Sequence, residues 1–115
     1  MRYEELVATV ADAMKLAKVS RQVHVAFQFN VRGEAEGAFY LEIDGGKINV
    51  EPYEYYDRDI IIETTADVIM EMLEGRLQPR AAYTNGQMKV YGDVRQLAIL
   101  PFGCEYRSAC QHAGT

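Results

Sequence analysis

The chain lacks any apolar run long enough to cross a bilayer. No window approaches the roughly 20 consecutive apolar residues that a membrane-spanning helix needs, and the charged start MRYEELVATVADAMK does not resemble a secretory leader. The expected location is cytoplasmic. Cysteine is scarce as well, with Cys104 and Cys110 separated by five residues near the end of the chain. A reducing compartment disfavours a disulfide between them. Their spacing is not that of a zinc site, even with His112 as a third donor. Positive charge is in short supply: 12 Lys and Arg face 17 Asp and Glu, for a formal net charge of -5. Lys15, Lys18 and Arg21 form one loose group and Arg76 with Arg80 another. A phosphate-binding surface needs more clustered charge than that, so no nucleic-acid partner is expected.

Catalytic equipment is equally thin. An enzyme needs a nucleophile or an acid–base group held by a partner. His24 falls on the outward side of an expected strand, and His112 lies in the tail. Asp67 and Asp93 stand where helix caps belong, while Glu63 and Glu71 read as ordinary surface acids. Gly45 and Gly46 suit a hairpin and no helix follows them, so they do not cradle a phosphate. Neither catalysis, a metal nor a cofactor is expected.

What the chain does have is apolar periodicity. Its 115 residues, 49% of them hydrophobic, suffice for one domain with one core. Residues 3 to 18 predict a helix, with Leu6, Val10, Ala13, Met14 and Ala17 on one stripe. The period then drops to two. Val23, Val25, Phe27, Phe29 and Val31 alternate with His24, Ala26, Gln28 and Asn30 on a first strand. Phe39, Leu41 and Ile43 share one face of a second, and Asp44, Gly45 and Gly46 supply a tight turn into a third that carries Ile48 and Val50. Pro52 and the charges of EPYEYYDR break the pattern and place that segment at the surface. The run Ile60, Ile61, Ile62 fits a strand inside the sheet.

Thr64, with Asp67 three residues on, suggests the capping box of a helix whose apolar stripe is Val68, Ile69, Met72 and Leu73 and whose terminator is Gly75. Pro79 can open a short helix over Ala81, Ala82 and Tyr83, ended by Asn85 and Gly86. Met88 and Val90 alternate on a fifth strand. Asp93 with Gln96 repeats the capping pattern before a last helix carrying Val94, Leu97, Ala98 and Leu100, which Pro101 interrupts. Strands with one apolar face, covered by helices, make an α+β layer: a five-stranded, mostly antiparallel sheet with helices on one face.

The stretch DIIIETTADVIMEMLEGRLQPRAAYTNGQMKVYGDVRQLAIL resembles the sterol carrier protein 2 family, the SCP2 sterol-binding domain. The likeness rests on the order and spacing of Gly75, Arg76, Leu77 and Pro79, then Ala82 and Tyr83, then Gly86, Met88 and Val90, then Gly92 and Asp93. Phe39, Leu41, Ile43, Asp44 and Gly45 match the family's sheet hairpin. The resemblance implies an SCP2-like lipid-binding domain over residues 1–103, followed by a flexible tail over 104–115. It implies a hydrophobic tunnel between sheet and helices for a fatty acid, acyl-CoA or sterol-like lipid, with no catalytic centre. Gln87 stands where the family usually has a lysine, which weakens a claim for an anionic headgroup, and the peroxisomal address of eukaryotic members is missing after His112.

The residues expected to line that tunnel are Phe27, Phe29, Phe39, Leu41, Ile69, Met72, Leu73, Leu77, Tyr83, Met88, Val90, Leu97 and Leu100. Met72 and Met88 suit a ligand of variable shape, because an unbranched thioether repacks easily. The alternative is a structural or protein-interaction module whose cavity is filled. Ala26, Ala38, Tyr40, Ile61 and Tyr91 on the other sheet face would then form a strip through which two copies could pair as a homodimer. Tyr53, Tyr55 and Tyr56 are expected to pack on the sheet edge, with a lid or a partner contact as other roles.

Overall fold

A computed structural model describes residues 1–54 and 57–103. Tyr55, Tyr56, the expected tail, both cysteines and His112 lie outside the described residues. The order is α1 (Tyr3–Met14), β1 (His24–Arg32), β2 (Gly37–Asp44), β3 (Lys47–Glu51), β4 (Ile60–Thr65), α2 (Ala66–Leu73), α3 (Pro79–Thr84), β5 (Lys89–Tyr91) and a 3₁₀ helix, Val94–Ile99. The strands form one sheet in the order β3-β2-β1-β4-β5. Three of its pairings are antiparallel and β1 with β4 is parallel.

The α+β architecture expected from the periodicity is therefore present. Phe27, Phe29, Phe39, Leu41, Ile43, Ile60 and Ile62 point to one side of the sheet and are at most 1% exposed. Leu6, Val10 and Met14 of α1 and Ile69, Met72 and Leu73 of α2 join them in a single core cluster. Burial of this kind stabilises by about 25 cal/mol per Å² of apolar surface and is the main force holding helices to the sheet.

Several boundaries differ from the expectation. The first helix stops at Met14 rather than at residue 18, because i→i+3 bonds from Leu16 to Ala13 and from Ala17 to Met14 tighten and end it. Leu16 is left 70% exposed while Ala17 and Val19 still pack on the core. The cap of α2 is Thr65, not Thr64: its hydroxyl accepts from the Val68 amide at 3.4 Å. Thr64 remains in β4, paired with Val31, and its hydroxyl donates to the Gln87 carbonyl at 2.8 Å. The ladder with β1 thus runs one residue further than the local signal suggested. The last helix is a 3₁₀ turn, and Asp93 accepts from the Arg95 amide at 3.0 Å without a reciprocal bond from Gln96. The turn's bonds are of the i→i+3 kind, Gln96 to Asp93 and Leu100 to Leu97, and Pro101 directly after it can donate none.

Two terminators are as expected. Past α2, Arg76 bonds back to Glu71 and Gly75 to Met72; past α3, Gln87 bonds back to Ala82 and Gly86 to Tyr83. Both are Schellman turns with glycine in the left-handed region, at φ +79° in each case. They set the angle at which α2, α3 and β5 follow one another around the edge of the core.

The link from β3 to β4 crosses β2 and β1. Glu51 stands opposite Tyr40, Tyr40 opposite Gln28 and Gln28 opposite Ile61, so the two strand ends are level and three strand spacings apart. That gap is about 14 Å, an easy reach for the intervening residues. The described parts of the link, 52–54 and 57–59, lie against the face away from the helices. The Tyr53 ring meets the Tyr40 ring edge-on at 5.5 Å, and Asp59 accepts from the Ala26 amide at 2.8 Å. Ala26, Gln28 and Tyr40 are consequently buried on a face the alternation had marked as wet.

Candidate functional site

The helix-side interior gathers nearly every residue expected to line a cavity. Phe27, Phe29, Phe39, Leu41, Ile69 and Met72 are fully buried, and Leu73, Met88, Leu97 and Leu100 are 5% exposed or less. Leu77 and Val90 are partly buried against the same cluster. Tyr83 is corrected: it is 42% exposed, because α3 is a short helix that turns Ala82 inward. The floor of the interior comes from β1 and β2, where Phe29 and Phe39 are cross-strand partners. Their rings stack with centroids 5.0 Å apart and planes 8° from parallel. The roof comes from α1, α2, α3 and the 3₁₀ helix, the last two packed on each other.

One interior residue was not expected. Phe102 is 7% exposed and stacks on Phe29 at 5.7 Å. It lies outside any periodic segment, and its signal in the sequence was only an aromatic set between Pro101 and Gly103. Ile43, Ile60 and Ile62 also belong to this interior, although the alternation marked them as core only.

The opposite side of the sheet has a different chemistry. A shallow cleft of about 160 Å³ is lined by His24, Val25, Ala26, Glu42, Ile43, Asp44, Asp57 and Asp59. His24 Nδ1 lies 2.7 Å from Asp44 Oδ1, so an aspartate–histidine contact exists. Both side chains are more than 60% exposed, and among the described residues the cleft lining includes no serine, threonine or cysteine for the pair to activate. Among the described residues no group of three His, Cys, Asp or Glu could hold a metal ion. On the same face, burial and the neighbouring Tyr53 hydroxyl push the Tyr40 phenol up to about 12 from its usual 10.0.

Known proteins share this arrangement. The pattern of the SCP-2 sterol transfer family matches residues 4–98, which span the sheet, the helices and nearly all of the interior just described. This chain belongs to that family. Hydroxysteroid dehydrogenase-like protein 2 of Mus musculus is 30% identical over 95 residues, covering 79% of this chain and 19% of the mouse protein. The chain thus spans about a fifth of the length of that curated relative. A solved structure titled UbiJ-SCP2 ubiquinone synthesis protein superposes with a TM-score of 0.67, at 17% identity and 96% coverage of both chains. The solution structure of palmitated SCP2L2 from Aedes aegypti superposes at 0.61, with 15% identity, 93% of this chain and 96% of the other. At those identities the structural likeness establishes the SCP2 fold. The family is described as one of sterol transfer. No helix among the described residues is long and apolar enough to cross a membrane.

Proposed function

We propose that this domain holds one lipid molecule, a fatty acid, acyl-CoA or sterol-like compound, between its sheet and its helices and passes it on without chemistry. The observation that supports this reading most is the family match over residues 4–98, which falls on the elements whose apolar faces converge in the interior. Such a site requires no special motif. It requires a wall of adaptable apolar side chains, and each methylene it shelters from water is worth roughly 0.8 kcal/mol. Met72 and Met88, on α2 and just ahead of β5, supply adaptable surface on the roof and at its edge.

The alternative of a filled interior is favoured by one observation, the Phe39–Phe29–Phe102 stack, which occupies part of the space with the chain's own rings. The homodimer reading has less support. Ala26 and Tyr40 of the expected pairing strip are already buried within one chain, leaving Tyr91, 52% exposed, as its most open member. Native mass spectrometry of protein purified from cells, set beside solvent extraction after denaturation, separates carrier from filled module. A carrier shows a bound mass that matches a lipid in the extract. Protein that releases no lipid, and that does not bind a fluorescent fatty acid at micromolar concentration, is a filled module.

A further inference from the structure

Besides the Tyr40 phenol, the buried polar side chains among the described residues are Gln28 and Thr64. Gln28 belongs to the outer face of the sheet. Thr64 belongs to the helix side: along β4 it alternates in step with Ile60 and Ile62 and is itself 4% exposed. It stands one step past the Glu63–Lys89 pair of the β4–β5 ladder, which brings it level with Met88. A buried hydroxyl where a valine would pack costs stability unless its hydrogen bonds are made. One is made, since Thr64 Oγ1 donates to the Gln87 carbonyl at 2.8 Å.

That bond decides what Thr64 has left to offer. A hydroxyl carries one proton and two lone pairs, and the proton is committed to Gln87. The Gln87 amide is committed as well, to the Ala82 carbonyl at 2.8 Å. Among the described residues no N–H or O–H donates to the Thr64 hydroxyl oxygen. The corner therefore presents oxygen lone pairs, on Thr64 and on the Gln87 carbonyl. The adjacent cation, Lys89, sits opposite Glu63 on the outward row and is exposed. Gln87 is exposed while Thr64 and Met88 beside it are buried, so the apolar interior meets solvent at this corner. A ligand's polar end belongs at such a boundary.

We propose that Thr64 selects that polar end, accepting a hydrogen bond from a neutral hydroxyl in preference to a carboxylate. The inference deepens the carrier reading above and rests on it. An alcohol supplies the one kind of group that the corner lacks, a donor. An ionised carboxylate brings further acceptors and negative charge to a place already lined by oxygen lone pairs. The apolar body of either ligand makes the same contacts, so the head decides the preference and the chain does not.

A purely structural role for Thr64, tying the α3–β5 turn to β4, would alter stability and leave ligand preference unchanged. Calorimetric titration at pH 8, where the carboxylate is ionised, compares dodecanol, methyl dodecanoate and dodecanoate. The three share an apolar chain and end in a donor, a neutral acceptor and an anion. They are titrated into wild type, Thr64→Ser and Thr64→Val, with thermal unfolding to check that each variant is folded. Wild type and Thr64→Ser should bind the alcohol about tenfold more tightly than the ester or the acid, and Thr64→Val should bind alcohol and ester alike. Nuclear Overhauser contacts from the carbinol protons of bound dodecanol should reach the Thr64 methyl, a reading that needs no variant. Wild type that binds the alcohol no tighter than the ester, a folded Thr64→Val that keeps the preference, or carbinol protons placed away from Thr64 overturns the selection and leaves the carrier intact. No binding of any of the three by wild type overturns the carrier reading and the selection with it.

Discussion

A methyl group added at Gly37 would lie 2.6 Å from two ring carbons of Tyr3, whereas at Gly86 it would meet nothing within 4 Å. The Tyr3 ring lies on the backbone at the start of β2, and its hydroxyl donates to the Ala38 carbonyl, so this contact ties the first turn of α1 to the sheet. Gly86 has only its left-handed φ of +79° to protect. The same substitution therefore has different consequences at the two positions. Gly86→Ala should cost about 1 kcal/mol, the strain of a left-handed alanine. Gly37→Ala should cost about 2–3 kcal/mol, because its φ of +156° also disfavours a side chain and, in addition, the ring must shift or the helix must lift. Urea unfolding of the two variants beside wild type measures both. Equal losses would mean that the Tyr3 contact is not seated as described. The difference was not legible beforehand: Gly86 read as a helix terminator, Gly37 stood in no pattern, and the ring that separates the two cases is 34 positions away from Gly37.

At the scale of elements, local signals were reliable where they concerned a single segment. The alternation of Phe27, Phe29 and Val31 located the core face of β1, and Gly75, Pro79 and Gly86 marked the ends of α2 and α3 where they occur. They failed where one segment's course depends on another. Thr64 is a good cap by sequence, yet pairing of β4 with β1 keeps it in a strand. Gln28 alternates as an outward residue and is 2% exposed, because the link from β3 to β4 crosses that face. This link gives the molecule an alkaline weakness. Tyr40 titrates at about 12 in the folded protein and near 10.0 when unfolded, burial being the main cause and Tyr53 the next. Raising the pH through 10 ionises the unfolded chain first, so the stability that Tyr40 contributes is complete below that point and declines up to about 12. In Tyr40→Phe the alkaline fall in the urea midpoint should be shallower than in wild type. An identical fall in both proteins would show that Tyr40 is not shielded by the link.

For the molecule as a whole, the family and the layer architecture could be read from residues 59–100, because glycines, a proline and apolar spacings repeat a known order there. The interior was legible as a set of inward-facing side chains. Its occupant was not, since alternation tells which way Leu41 or Leu73 points and not how much space the side chains leave between layers. Phe102 shows the limit: a residue after the last helix, in no pattern, enters the interior from outside the periodic part of the chain. The central claim is that a lipid lies between the layers, and the methionines offer the most direct view of it. Of the five, Met72 and Met88 lie on that interior, Met14 is buried in the same core at the end of α1, Met70 is partly buried and Met1 is 43% exposed. With ¹³C-methyl-labelled methionine, titration with palmitate should move the Met72 and Met88 signals to saturation at one equivalent while Met1 stays in place. Saturable binding that leaves both of those methyl groups unmoved, or no change at any methionine, would contradict the account.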